Sequence, residues 1–109
     1  MSFELDARLA GDTLTVGELP LCTVRLMNDK RWPWLVLVPR MFMASEIHDL
    51  SEDAQFQLAR EAALIASQLK KVSGCEKINS AAIGNIVKQL HIHVIGRTEG
   101  DPNWPAPVW

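Results

Sequence analysis

The sequence predicts an α+β fold: a mostly antiparallel sheet with one long helix packed on it. Three observations carry this. Apolar residues recur at steps of three or four across residues 51–72, the period of a helix with one buried face. Two short runs rich in β-forming residues precede that stretch, close enough in sequence to form an antiparallel hairpin. Two more strand-like runs follow it. No repeat, low-complexity tract or linker divides residues 1–109, so a single domain is expected.

Residues 1–20 are mixed in character and punctuated by Gly11-Asp12 and Pro20; a short helical turn followed by loop is expected there. Residues 21–27 are rich in Leu, Val and Thr and read as a strand. Asn28-Asp29-Lys30-Arg31 is a polar connection, and Pro33 adds a break. Trp34-Leu35-Val36-Leu37-Val38 is a continuous apolar run ending at Pro39, which suits a strand covered on both faces. In the helix, Leu50, Ala54, Leu58, Ala62, Ile65, Leu69 and Val72 form one stripe. Asp49 or Ser51 can cap its start, and Glu52 and Asp53 suit the positive end of its dipole. Lys70 and Lys71 suit the negative end, and Gly74 can close it in the left-handed conformation. Residues 77–83 contain Ile78, Ala81, Ala82 and Ile83 and read as a strand, which Gly84-Asn85 interrupts. Residues 87–95 alternate strongly and read as another. The stretch 101–109, with three prolines and two tryptophans, is irregular and is expected to pack as a fixed arm.

Composition excludes several classes. Of 109 residues, 48% are hydrophobic and 22% charged, ordinary values for a globular chain and not those of a disordered one. A net charge of −2 offers no broad footprint for a phosphate backbone, so no nucleic-acid partner is expected. Two cysteines, Cys22 and Cys75, are too few for a disulfide framework or a zinc finger, and two reduced thiols are expected. No secretory signal is visible, and no apolar run approaches the roughly 20 residues of a membrane span. A cytoplasmic protein with no membrane partner is expected.

Chemistry concentrates in Gln89-Leu90-His91-Ile92-His93-Val94-Ile95. At strand period, Gln89, His91 and His93 share one face, about 7 Å apart, while Leu90, Ile92 and Val94 point to the core. His91 can act as a nucleophile through a neutral ring nitrogen. The pair can act as acid and anion donor, or as two metal ligands. Both can equally be solvated histidines on the outer face of an amphipathic strand. Gly84-Asn85 and Asn79 lie just upstream and add backbone and amide donors, which favours an anion site over a metal site. Trp32 and Trp34 suit packing, as do Met27, Met41 and Met43; Lys30, Arg31 and Arg40 suit solvent, and His48 suits a surface or capping position.

The segment from Ile78 to Arg97 resembles the signature of the histidine triad (HIT) superfamily of nucleotidyl hydrolases and transferases. The family motif is His-φ-His-φ-His-φ-φ, φ being apolar, and this chain carries Gln-Leu-His-Ile-His-Val-Ile in that register. The order of elements also matches, so the resemblance spans roughly residues 21–97. In detail the chain is similar to the bacterial branch described as diadenosine tetraphosphate hydrolase-like, including its Trp-Pro-x-Pro-Val-Trp segment. The resemblance implies that His91 is the nucleophile, forming a covalent nucleotidyl-histidine, and that His93 donates to the phosphate or the bridging atom. It implies phosphate contacts from Gly84-Asn85, with Asn in place of the family Gln, and from Asn79. Asn28 or Asp29 is implied to bind the ribose hydroxyls. Gln89 replaces the first triad histidine at the substrate-binding face, and Ile86 stands where a Ser or Thr hydroxyl is common. The family nucleophile is oriented by a backbone carbonyl at the Gln89 position, which any side chain leaves in place. The implied substrate is an adenosine-type nucleotide, with no cofactor and no metal. The implied assembly is a homodimer, with residues 104–109 near the active sites. Two other readings differ in kind: a purine-nucleotide-binding module without useful turnover, and a sheet that binds metal through His91 and His93.

Overall fold

The computed structural model describes residues 2–109; Met1, the first residue of the segment 1–20, lies outside them. Among the described residues two α-helices and five strands follow in order: α1 (Ala7–Asp12), β1 (Thr13–Glu18), β2 (Cys22–Met27), β3 (Trp34–Pro39), α2 (Glu52–Ser73), β4 (Lys77–Ala81) and β5 (Ile92–Arg97), with a short 3-10 helix at Ile47–Asp49 before α2. The strands form one antiparallel sheet in the order β1-β2-β3-β5-β4. The polar connection after β2 returns the chain beside it, so β2 and β3 form the hairpin their spacing predicts.

The local signals around α2 act as read. The Ser51 hydroxyl accepts from the Ala54 amide, and Gly74 closes the helix at φ 70°, its own N–H bonding to the Lys70 carbonyl. Leu58 and Leu69 are buried, with Ala54, Ala62 and Ile65 packed beside them. Val72 leaves the stripe in the last turn and is 85% exposed. One buried helix residue is charged. The Glu61 carboxylate accepts from the Leu21 and Cys22 amides, both at 2.8 Å, and from the Gln57 side chain at 2.7 Å. It thereby docks the helix onto the start of β2. Burial alone would raise its pKa, but these hydrogen bonds outweigh burial and hold it below the usual carboxylate range.

Strand period divides the sheet into two buried faces. On the α2 face lie Cys22, Val24, Leu37, Ile92 and Val94. On the other lie Trp34, Val36, Val38 and Ile95, covered by Leu9 of α1, by Phe3 and Leu5 of the preceding arm, and by Val108. Both cysteines are buried and free. Burial, then the Glu61 carboxylate, push the Cys22 thiol well above its usual range.

The structure corrects four expectations. Residues 13–18, expected as loop, are the edge strand β1. Leu14 and Val16 are exposed there and a bulge shifts the register between Thr15 and Gly17, so no side-chain period marks the strand. Residues 87–91, expected as the first half of β5, lie outside the ladder: pairing with β3 begins at Ile92, and the Leu90 amide turns aside to the Ala44 carbonyl. Met43, expected to pack, is 80% exposed at φ 62°. Arg40, expected to be solvated, pairs with Glu18 and donates to the Leu19 carbonyl.

Candidate active site

His91 and His93 stand together at the start of β5, with ring centroids 4.9 Å apart. Both are buried, and Nδ1 of each ring has a hydrogen-bond partner. His91 Nδ1 lies 2.7 Å from the Gln89 carbonyl oxygen. A carbonyl only accepts, so Nδ1 carries the hydrogen and the neutral ring keeps its lone pair on Nε2. His93 is held in the opposite sense: the Trp34 indole N–H donates to its Nδ1 at 3.0 Å. Burial, then the neighbouring His91, push the His93 pKa down to about 4, against an upward pull from the Ile83 carbonyl.

His91 opens onto a cleft of about 850 Å3 that Gly84, Asn85, Gln89, Lys88, Glu46 and His48 also line. Gly84 is there because nothing larger fits. A Cβ would sit 2.7 Å from the Val87 carbonyl oxygen and 3.9 Å from the His91 ring. Gly84 and Asn85 thus share one cleft with the nucleophile candidate, the juxtaposition that the sequence suggested. His48, expected at the surface, is exposed and also forms part of the wall.

The remaining site candidates are distributed differently. Gln89 does not extend a polar row along β5. Its side-chain carbonyl accepts from the Asp6 amide and its side-chain N–H donates to the Glu4 carbonyl, both at 2.8 Å. One carboxamide therefore clasps the arm before α1, from a residue that also lines the cleft. Asn79 sits on β4 opposite Ile95, two residues from the partner of His93. Its side-chain oxygen accepts from Arg97, whose guanidinium also pairs with Asp101 at 2.7 Å and donates to the Ala106 carbonyl. Asn79 thus braces the arm of residues 101–109 and stands outside the cleft lining. Asn28 and Asp29 line a second cavity of about 270 Å3 with Trp34 and Val108. Asp29 is paired with Arg31, which holds its carboxyl below the usual range.

Sequence reasoning missed Trp34 as a site residue. Its ring contacts His93 and Trp109 edge-on, at 5.5 and 6.1 Å between centroids, and it lines the smaller cavity. An apolar run gives no sign that an indole N–H will meet an imidazole 59 residues away. Lys88 was also missed; strand period places it on the parity of Leu90, Ile92 and Val94, away from the histidines. Among the described residues, no group of three or more His, Cys, Asp or Glu side chains is gathered as metal ligands. No helix among them is long and apolar enough to cross a membrane.

Comparison with known proteins agrees with this geometry. The HIT domain model matches residues 9–100. A histidine triad protein from Sinorhizobium meliloti 1021 is 56% identical, covers 98% of this chain and 79% of its own, and superposes with a TM-score of 0.97. One from Bradyrhizobium japonicum is 47% identical over 100% of this chain and 81% of its own, with a TM-score of 0.98. One from Marinobacter aquaeolei VT8 has the same identity and TM-score, covering 100% of this chain and 80% of its own. No curated protein matches. With the domain match spanning most of the chain and the same sheet and helix in each of these structures, the chain belongs to the HIT domain family, whose members are generally nucleotide hydrolases or transferases.

Proposed function

We propose that this chain cleaves an adenosine nucleotide at its α-phosphate through a covalent nucleotidyl-His91. The observation that carries the reading is the bond from His91 Nδ1 to the Gln89 carbonyl, which leaves a Nε2 lone pair in a cleft beside Gly84 and Asn85. In the first step Nε2 forms a bond to the α-phosphorus. The bond from phosphorus to the leaving group breaks, and its electron pair departs with that group. Amides of the Gly84-Asn85 turn and the His93 ring stabilise the phosphoryl oxygens. Water then breaks the P–N bond, releases the nucleoside monophosphate and restores His91. The substrate is a dinucleoside polyphosphate, as the diadenosine tetraphosphate hydrolase-like resemblance suggests, or an adenosine phosphoramidate or ester. Asp29, beside the smaller cavity, is the ribose-side candidate. A homodimer belongs to the same reading, and light scattering tests it.

The test is AMP release from diadenosine tetraphosphate, adenosine phosphoramidate and an adenylyl-lysine compound, with His91→Ala in parallel. Release by the parent and none by the variant is the expected result. Ile86 brings no hydroxyl to the cleft, and Gln89 is engaged elsewhere. These two departures favour one second reading, a nucleotide-binding module without turnover. Binding of adenosine nucleotides with no release from any of the three compounds would establish that reading instead.

A further inference from the structure

We propose that Trp34 is a positioning residue that sets the tautomer of His93, and that the two site histidines thereby hold opposite tautomers. An indole nitrogen can only donate. Its placement 3.0 Å from His93 Nδ1 therefore requires a lone pair there, and in the neutral ring the hydrogen must sit on Nε2. The bond is buried at both ends, with Trp34 8% and His93 6% exposed, so water does not compete for either atom. On His91 the arrangement is reversed, because a carbonyl faces Nδ1. One ring thus presents a lone pair at Nε2 and its neighbour, 4.9 Å away, presents an N–H. Two adjacent imidazoles free to choose could both present lone pairs or both present hydrogens. An acceptor on one Nδ1 and a donor on the other remove that choice.

The inference rests on the proposed nucleotidyl transfer for its catalytic meaning, but not for its structural content. In that reaction His93 keeps its Nε2 hydrogen throughout. It acts as a hydrogen-bond donor to developing negative charge, while the leaving group takes the electron pair of the broken bond and any proton from solvent. Register explains why Trp34 can serve. On β3 and β5, Trp34 lies opposite Ile95 and Val36 opposite His93, so the Trp34 ring reaches diagonally to His93 on the same face. Trp32 and Trp109 pack edge-on against that ring and hold its orientation.

The experiment is long-range 15N–1H NMR of the imidazoles in the parent and in Trp34→Phe, with His93 assigned by its loss in His93→Gln. Steady-state release of AMP from diadenosine tetraphosphate is measured alongside. The parent is expected to show His93 protonated on Nε2 and bare on Nδ1 at neutral pH. Trp34→Phe keeps an aromatic ring but no donor; a mixture of His93 tautomers is expected, with kcat reduced about tenfold and KM little changed. A parent His93 protonated on Nδ1 would overturn the proposal, whether or not the variant folds. So would a Trp34→Phe protein with an unchanged His93 spectrum and unchanged kcat. If the parent releases no AMP, the transfer reading fails while the parent spectrum still decides the tautomer.

Discussion

On the α2 face of the sheet, Leu37, Ile92 and Val94 pack against a regular helix, and specificity comes from shape. On the opposite face, Trp34, His93 and Arg97 are buried beneath irregular arms, and each uses a directed hydrogen bond. The two faces share the same strands, residue by residue. Apolar packing tolerates small movements at small cost, whereas a buried donor without its acceptor loses about 1–3 kcal/mol. The candidate site lies on the side where positions are held by polar partners, and that is where fixed geometry is most useful for chemistry.

The largest effect should come from the packing face. Leu37→Ala removes a fully buried side chain and should lower stability by about 3 kcal/mol, read by urea denaturation. Turnover per folded molecule should change little; a large loss would mean that the two faces are coupled. Gly84→Ala should do the reverse. Its Cβ would press on the Val87 carbonyl and shift the turn beside His91, reducing AMP release about 100-fold with the circular dichroism spectrum retained.

Glu61→Ala breaks the polar exception on the packing face and should cost about 2 kcal/mol, because the Leu21 and Cys22 amides lose their acceptor. The folded-state pKa of Glu61 is depressed, so its stabilisation is present above the usual glutamate range and is lost as pH falls through the lower folded value. Acid titrations of parent and variant should differ in that window. A second pH-dependent change concerns His93. Its pKa falls from 6.5 to about 4 on folding, so the unfolded chain binds more protons between those values. Stability should therefore decline as pH falls across that window, and His93→Gln should flatten the decline. A decline of equal slope in the variant would assign it to other groups.

Legibility follows the same division. Ser51, the apolar stripe and Gly74 identify α2 because capping and period act between residues within a few positions. The His-x-His pair is legible for the same reason. The edge strand β1 is not, since backbone pairing with β2 makes it and both its apolar side chains face solvent. Nor is the Gln89 clasp, whose partners lie 83 and 85 residues away, or the pairing of Asn79 with Arg97. A carboxamide offers a donor and an acceptor to any backbone that reaches it, and the sequence does not say which backbone will.

The sequence by itself determined the α+β order, the long helix, the hairpin and the two histidines of the site, because each depends on local propensity or short period. The tertiary structure decided which nitrogen of each histidine is engaged, that the Gln89 carboxamide clasps the arm before α1, and that Asn28 and Asp29 line a cavity apart from that of His91. Those outcomes depend on which donor meets which acceptor across the register of β3 and β5 and beneath the packed arms. Only the folded chain brings those groups within hydrogen-bond distance.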